Sequence, residues 1–283
     1  MKVAISAETT VDLTKELIEQ YKISIVPFTI LLGDEMHLDG EVTPMQIIEY
    51  TDRTGILPKT SAVNEFQFEE HFKKLLEEND AVVHFSLSSC MSSAYNNAVA
   101  AAEKLGNVYV VDSRSLSTGI ALLAIYASKL ADKGVEAKEI VEKVSKRVPY
   151  DQASFVLKRL DYLYKGGRCS SLAYFGANLL KLRPQIIVED GKMKSGKKYR
   201  GSFERVVENY VKDTLEEFPN PDLEEVFITY TTADDSIVES VKNTLLNHGF
   251  KNIHVTHAGG TITSHCGENC LGILYINDGG VND

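Results

Sequence analysis

Short apolar runs of strand length alternate with longer helix-like stretches through the first half of this 283-residue chain, and this alternation restricts the fold most. Such alternation is typical of a largely parallel sheet, because parallel neighbours need a crossover connection. The predicted strands are Val3–Ser6, Ile23–Leu32, Ala81–Leu87 and Val108–Val111. The predicted helices are Leu13–Tyr21 with Asp12 as its cap, one starting at Thr43-Pro44, one carrying Phe66, Phe68, Phe72, Leu75 and Leu76, the largely apolar Leu116–Leu130, and Ala137–Arg147. We therefore expect a three-layer α/β/α domain with a mainly parallel sheet.

The pattern changes at Pro149-Tyr150-Asp151, which predicts a boundary between two domains, residues 1–150 and 151–283. The strands predicted beyond it are Ser154–Leu157, Arg183–Glu189, Val226–Tyr230, Ile253–His257 and Leu271–Ile276. The helices predicted there are Asp161–Lys165, Glu204–Glu217 and Ser236–Asn247. Gly191-Lys192 is typical of a hairpin turn, which joins antiparallel strands. The second domain is expected to be a two-layer α/β unit with a mixed sheet.

Charge and hydropathy limit the partners that this chain is expected to have. Its formal net charge is −10, and no dense Lys/Arg run compensates locally, so nucleic acid is not expected to bind. No segment approaches the ~18 consecutive apolar residues of a membrane span, so stable membrane insertion is not expected. Met1-Lys2 leads directly into a strand pattern rather than the apolar run of a secretory leader. We expect a cytoplasmic protein.

The cysteines give only a weak indication of a metal site. Four are too few and too unevenly placed for a secreted disulfide scaffold. Cys266 and Cys270 stand four apart, downstream of His254, His257 and His265, but one Cys-x3-Cys without a second close pair is a weak zinc signal. We expect reduced thiols and structural histidines, with no metal and no cofactor other than a bound ligand.

Two hydroxyl-rich loops stand out, because the GxGxxG, GxxxxGK[ST], G-x-S-x-G and H-E-x-x-H motifs are all absent. The first is Leu57–Ser61, which precedes a helix that either Ser61 or Asn64 can cap. The second is Leu87–Tyr95, which leaves a buried strand and enters a helix. Open α/β sheets bind ligands at such junctions, and the hydroxyls and free amides of a helix N-terminus suit a carboxylate or phosphate.

Simple helix capping is the alternative interpretation of the second loop. Ser88 or Ser89 fits that role more readily than Ser92. Further along the chain, Gly166-Gly167-Arg168 predicts a tight turn from which Arg168 emerges at a fixed angle. An ordinary helix C-cap with a surface arginine explains that segment equally well. Glycines 259, 260 and 267 flank a loop that contains His265, and a histidine in such a loop is more often structural than functional when taken alone.

Seven short segments are weak signals individually, but their order along the chain makes the combination specific for one family. They are Ala7–Leu13, Asp39-Gly40, Pro58–Ser61, Met91–Tyr95, Val111–Ser113, Leu163–Ser170 and Ser264–Gly267. Nearly end to end, the chain is similar to the DegV family, the fatty-acid-binding subunits of bacterial fatty-acid kinases. This resemblance implies that a fatty acid lies between the two α/β domains.

The resemblance also implies which residues hold the carboxylate. Thr60 and Ser92 would hydrogen-bond it, and His265 would complete the polar set. A carboxylate removed from water needs donors, which hydroxyl and imidazole N–H groups supply. The acyl tail would occupy an apolar tunnel and gain ~0.8 kcal/mol per buried methylene, so tail burial is expected to dominate the affinity.

A separate kinase would supply the ATP chemistry in this scheme. Arg168, together with Ser61 and Ser93, would lie near the head group or on the face that docks the kinase. The chain itself would bind the fatty acid and present it for acyl phosphate formation, and would not be an enzyme.

Two other functional classes remain open at this point. The first is an esterase or thioesterase with Ser92 as nucleophile and His265 as base, although no acidic residue that would orient the histidine is evident. The second is a regulator that senses a small acid and binds other proteins.

Overall fold

The computed structural model describes residues 2–170 and 183–280. Its strands are β1 (Val3–Glu8), β2 (Ile23–Val26), β3 (Thr29–Leu32), β4 (Glu35–Leu38), β5 (Lys59–Ser61), β6 (Ala81–Ser86), β7 (Val108–Asp112), β8 (Asp151–Leu157), β9 (Arg183–Glu189), β10 (Lys192–Tyr199), β11 (Glu225–Tyr230), β12 (Asn252–His257) and β13 (Cys270–Ile276). Its helices are α1 (Lys15–Gln20), α2 (Pro44–Thr54), α3 (Glu65–Leu76), α4 (Ala94–Leu105), α5 (Thr118–Asp132), α6 (Ala137–Arg147), α7 (Asp161–Gly166), α8 (Phe203–Glu217), α9 (Asp235–His248) and α10 (Gly260–Cys266). None of the helices in these ranges is long and apolar enough to cross a bilayer.

A four-stranded parallel sheet forms the centre of the first half, in the order β2-β1-β6-β7. Every residue of β6 is buried, as expected for a strand covered on both faces. Helices α3 and α4 pack against each other and against β6, and α5 contacts β1 and β6. The predicted α/β class with a mainly parallel first sheet is confirmed.

The single strand predicted over Ile23–Leu32 is wrong, because the chain forms two strands in two different sheets. Strand β2 joins the parallel sheet, whereas β3 lies between β4 and β5 in a small antiparallel sheet. Pro27 separates them, and a proline has no backbone N–H to continue a ladder. The small sheet was not predicted, although its strand β5 carries Thr60 and Ser61.

The second half forms a six-stranded mixed sheet in the order β10-β9-β8-β13-β11-β12. The pair β11 and β12 is parallel, and the other neighbours are antiparallel. The predicted hairpin turn lies between β9 and β10, where Asp190 and Gly191 have φ values of 51° and 76°. Positive φ at both central residues is the geometry that a tight hairpin requires. The mixed sheet confirms the second part of the fold prediction.

The cap predicted for the first helix is wrong. Helix α1 begins at Lys15, and Thr14 rather than Asp12 is its cap, accepting a bond from the Leu17 amide. The buried Asp12 carboxylate instead accepts bonds from the Gly259 amide and the Ser117 hydroxyl. For α3, Asn64 is the cap and forms a capping box with Gln67, which decides between the two candidates.

Helix α5 lies between the two sheets. It contacts β1 and β6 on one side and β8, β11 and β13 on the other, and nearly all of its residues are buried. This explains why its sequence is apolar on most faces. The sheets separate near residue 150, whereas one apolar core continues across α5 from Ile5 to Leu274. The division into residues 1–150 and 151–283 stays a prediction.

Candidate functional site

A cavity of ≈ 270 Å³ lies between the two halves of the chain. Its walls are mainly apolar and come from both sheets and from the helices near them. The apolar side chains that line it include Phe28, Leu87, Met91, Leu116, Phe155 and Leu274. Concave, largely apolar cavities with a few polar groups are typical of small-molecule sites.

The structure places every sequence-predicted site residue on the wall of this cavity. These residues are Thr60, Ser61, Ser92, Ser93, Arg168 and His265. They are contributed by β5, the loop before α4, the turn after α7, and α10, which are distant in sequence. Lining the cavity does not by itself assign a binding role to any of these residues. It does bring together residues that are far apart in sequence, as predicted.

Thr60 and His265 form a direct contact on the cavity wall. The Thr60 hydroxyl and Nε2 of His265 are 2.9 Å apart. His265 lies on α10, not on the loop that we predicted, because the segment from Gly260 to Cys266 is helical. A seven-residue helix with little apolar periodicity gives almost no helical signal in the sequence.

Two aspartates fix the beginning of α10. The Asp39 carboxylate accepts bonds from the amides of Gly260 (2.9 Å) and Thr261 (3.0 Å). Asp12 accepts bonds from the Gly259 amide (2.8 Å) and the Ser117 hydroxyl (2.5 Å). Neither aspartate is among the site residues predicted from the sequence. Both now determine where His265 lies, since they hold the helix that carries it.

Burial dominates the ionisation of Asp12. Its removal from water raises the pKa to about 8, partly opposed by the bonds from Ser117 and Gly259 and reinforced by the nearby charge of Asp39. A raised pKa is expected where two carboxyl groups are buried close together.

The ring of His265 packs against the backbone of Gly166. A Cβ atom at Gly166 would lie 2.7 Å from Nδ1 of the ring, so only glycine fits without a shift. Gly167 then ends α7 with φ of 73°, which is the C-cap geometry that we weighed for this segment. Both glycines therefore contribute to the site, one through close approach and one through the turn.

His265 is neutral near physiological pH. Burial, and secondarily the nearby Arg168 guanidinium, lower its pKa from 6.5 to about 4. Nδ1 has no hydrogen-bond partner among the residues that the structure describes. The tautomer protonated on Nε2 is therefore favoured, because it satisfies the only N–H of the ring through Thr60.

Acidification is expected to destabilise the protein through His265. Its folded pKa lies below the unfolded value, so its contribution to stability is complete above pH 6.5 and is lost as pH falls toward 4. We expect the difference in free energy of unfolding between the wild type and His265→Gln to fall by about 3 kcal/mol between pH 7 and pH 4. Urea titrations at both pH values measure it. The pKa of His71 is lowered as well. Because His71 is present in both proteins, its contribution cancels in the difference between them. A difference independent of pH would contradict this result.

Ser92 lies in the loop that leads into α4. Its hydroxyl oxygen accepts a bond from the Ala94 amide at 3.1 Å, so its own proton remains available for a ligand. The capping role that we preferred for Ser88 or Ser89 is wrong: Ser88 donates to the Gly191 carbonyl, and Ser89 donates to Asp112. Ser92 is thus the serine that meets an α4 amide.

The histidines near Cys266 and Cys270 point to different partners. His254 contacts Glu225 at 2.7 Å, and His257 contacts the Tyr230 hydroxyl at 3.2 Å. Both cysteines are free and buried, and they line the cavity. Within residues 2–170 and 183–280, no group of three potential metal-ligating side chains is found.

The geometry offers little to a hydrolase. Nε2 of His265 bonds to Thr60 rather than to Ser92. No acidic side chain in the described part of the chain bonds to Nδ1, so nothing orients the ring as a general base. The arrangement resembles an oriented set of donors more than a nucleophile and its base.

The sequence of this chain is similar to those of several known proteins. The family model described as "Uncharacterised protein, DegV family" matches residues 2–278. A "Fatty acid-binding protein" of Thermotoga maritima is 29% identical over 279 residues, covering 96% of each chain. A DegV domain-containing protein of Clostridium perfringens is 28% identical over 282 residues, covering 98% of this chain and 99% of its own.

Solved structures show the same architecture. A DegV lipid-binding protein of Thermotoga maritima superposes with a TM-score of 0.85 at 28% identity, over 98% of each chain. A fatty-acid-binding DegV family protein of Thermus thermophilus superposes with a TM-score of 0.90 over 98% of this chain and 100% of its own. Its 23% identity to this chain supports the likeness of fold alone.

Proposed function

Because the chain belongs to the DegV family, we propose that it binds one long-chain fatty acid in this cavity and presents the carboxylate to a separate ATP-dependent fatty-acid kinase. The observation that carries the proposal is an apolar cavity whose wall includes the hydroxyls of Thr60 and Ser92 and the imidazole of His265, with Thr60 and His265 in direct contact. A fatty acid has an apolar tail and a polar head group, so its site needs an apolar region next to a polar one. Formation of the acyl phosphate then belongs to the kinase, in the cytoplasm where ATP is available.

The hydrogen bonds of Thr60 and Ser92 favour a carboxylate ligand. Each hydroxyl oxygen accepts a bond from a nitrogen of the protein, Thr60 from His265 and Ser92 from Ala94. Each hydroxyl proton is therefore free to be donated into the cavity, and a carboxylate accepts such bonds. His265 acts in this scheme mainly by orienting Thr60. This refines the set of three direct ligands that the sequence predicted.

Access from outside supports presentation to a kinase. A second cavity, of ≈ 490 Å³, lies against the same wall, and Thr60, His265 and Arg168 line both cavities. Lys59 and Lys165 also line the outer cavity. Cations beside a carboxylate would stabilise the phosphate groups that approach it during phosphoryl transfer.

Mass spectrometry tests the binding proposal. An organic extract of freshly purified, denatured protein is expected to contain a stoichiometric fatty acid. An empty extract, from protein that also fails to take up added fatty acids, would contradict it and favour a different small acid.

Removing either donor hydroxyl is expected to weaken fatty acid binding. Thr60→Ala and Ser92→Ala each remove one buried hydrogen bond, with an expected loss of about 1–2 kcal/mol, or about 5- to 30-fold in Kd. Displacement of a fluorescent fatty acid measures the change. Thr244→Ala is the matched control, because that hydroxyl lies on α9 and bonds to its own helix. An unchanged Kd in both variants would remove the carboxylate assignment.

Arg168 is expected to matter more for turnover than for lipid binding. Its side chain is exposed, bonds to the Gly166 carbonyl and lines both cavities. Arg168→Ala should lower kinase-coupled acyl phosphate formation about tenfold or more, the effect of losing one charge contact in the transition state, while the Kd changes less than threefold. Arg114→Ala is the control, because Arg114 lines neither cavity. The reverse pattern would assign Arg168 to the lipid pocket.

A further inference from the structure

The two faces of the small antiparallel sheet have different surroundings. On the inner face, Ile30 pairs with Thr60, and both strands contact α10. Ile30 is buried there, and Thr60 bonds to His265. Successive side chains of a strand point to opposite faces, so the outer face carries the remaining residues. They stand in two cross-strand rows, Leu38-Thr29-Ser61 and Met36-Leu31-Lys59.

The outer face is apolar where it is most exposed. Met36 is 72% exposed and Leu38 is 41% exposed, and both lie on β4, the edge strand. Leu31 lies between Met36 and Lys59 and is half-buried. An antiparallel sheet that faces water usually carries polar residues on that face. Large apolar side chains grouped on one exposed face therefore indicate that another surface covers it.

This outer face is continuous with the candidate site. Ser61 ends one row and lines the lipid cavity, whereas Lys59 ends the other row and lines the outer cavity. Neighbouring strands are about 4.8 Å apart, so β4 lies roughly 10 Å from β5. A stable protein interface covers roughly 800 Å² of each partner, which is a disc of roughly 16 Å radius. A protein that reaches a carboxylate beside Thr60 therefore also covers β4.

Charge favours a protein partner over the other possible occupants. The formal net charge of −10 opposes both a second copy of this chain and an anionic lipid surface. The apolar residues are bordered by Lys59, and Lys165 and Arg168 line the same outer cavity. An apolar centre with a charged rim is the usual composition of a protein interface, and methionine is enriched in such centres.

We propose that the outer face of the small sheet is the docking surface for the kinase. Met36 and Leu38 form its apolar centre, and Lys59 faces acidic side chains of the partner. The inference rests on the proposed function and adds the surface by which the kinase recognises this chain. Strand β5 then serves both binding events, because Thr60 on its inner side meets the lipid and Lys59 on its outer side meets the kinase.

Steady-state kinetics of the purified fatty-acid kinase from the same organism tests the docking surface. Its substrate is full-length protein loaded with hexadecanoate, either wild type or Met36→Ser/Leu38→Ser. Both substituted side chains are exposed, so the fold is expected to be retained. Leu246→Ser/Val255→Ser is the matched control, because these two apolar side chains are also exposed but line neither cavity.

We expect the KM for Met36→Ser/Leu38→Ser to rise about tenfold or more, the effect of truncating two contacts at an interface centre. The kcat and the Kd for hexadecanoate should each change less than threefold, and the control should match the wild type. This pattern differs from the loss of turnover expected for Arg168→Ala.

An unchanged KM in Met36→Ser/Leu38→Ser, or an equal rise in the control, would overturn the proposal. If KM were unchanged and the variant instead lost a dimer, or lost binding to vesicles of phosphatidylcholine and phosphatidylglycerol, the face would belong to that occupant. Sedimentation of both proteins, with and without vesicles, measures this. Failure of the kinase to phosphorylate hexadecanoate bound to the wild type would overturn the proposed function itself.

Discussion

Shortening the ligand from hexadecanoate to decanoate is expected to weaken binding by about three orders of magnitude. The change removes six methylenes, each worth ~0.8 kcal/mol when buried, which gives about 5 kcal/mol before incomplete burial is allowed for. The apolar side chains around the cavity, among them Phe28, Met91 and Phe155, would lose their contacts with those methylenes. Isothermal titration of delipidated protein with both acids measures the ratio.

Hexadecanol is the control for this comparison, because it keeps the tail and lacks the carboxylate. Relative to hexadecanoate, hexadecanol should lose much less affinity than decanoate does. If decanoate bound within tenfold of hexadecanoate, the tail would not be buried. The site would then fit a short acid, as in a small-acid regulator.

A methyl group added at Gly166 is expected to cost more than the loss of either donor hydroxyl. Its Cβ would lie 2.7 Å from Nδ1 of His265, and the ring would have to turn away from Thr60. Thr60 would then lose the bond that orients it, and its hydroxyl proton would no longer be directed to the ligand. We expect Gly166→Ala to weaken fatty acid binding by about 3 kcal/mol, or somewhat over a hundredfold, the sum of about two hydrogen bonds.

The backbone at Gly166 permits this substitution, since the residue ends α7 without a positive φ. Displacement of a fluorescent fatty acid gives the Kd, and thermal unfolding shows whether the variant remains folded. Gly167→Asn is the matched control. A Cβ there meets nothing within 4 Å, and asparagine tolerates the φ of 73°. Equal losses in both variants would mean that contact with His265 is not the cause.

Local patterns were sufficient to predict the central elements. Strands β1, β6 and β7 and helix α5 have strong apolar signals of their own, so their type could be read from a short window. The loops at the ends of such strands then collect on one edge of a sheet, which is why Ser92 could be placed near a ligand. The ordered family segments added Thr60, Arg168 and His265.

The elements that escaped prediction depend on contacts far apart in sequence. Helix α10 is held by Asp12 and Asp39, which stand 247 and 221 positions before the residues that they bind. The small sheet of β3, β4 and β5 consists of strands of three or four residues, which are stable only when paired. No short window of sequence contains these interactions.

The positions of α5 and β13 have a consequence for synthesis on the ribosome. A chain folds from its N-terminus as it emerges, so the parallel sheet and α5 are available long before the second half. Strand β13 pairs with both β8 and β11 near the middle of the mixed sheet, yet it follows all the other described strands in sequence. One apolar side of α5 therefore stays only partly covered until residues 270–276 have left the exit tunnel, and the cavity between the two halves, whose wall includes Cys270, Gly272 and Leu274, is complete only then.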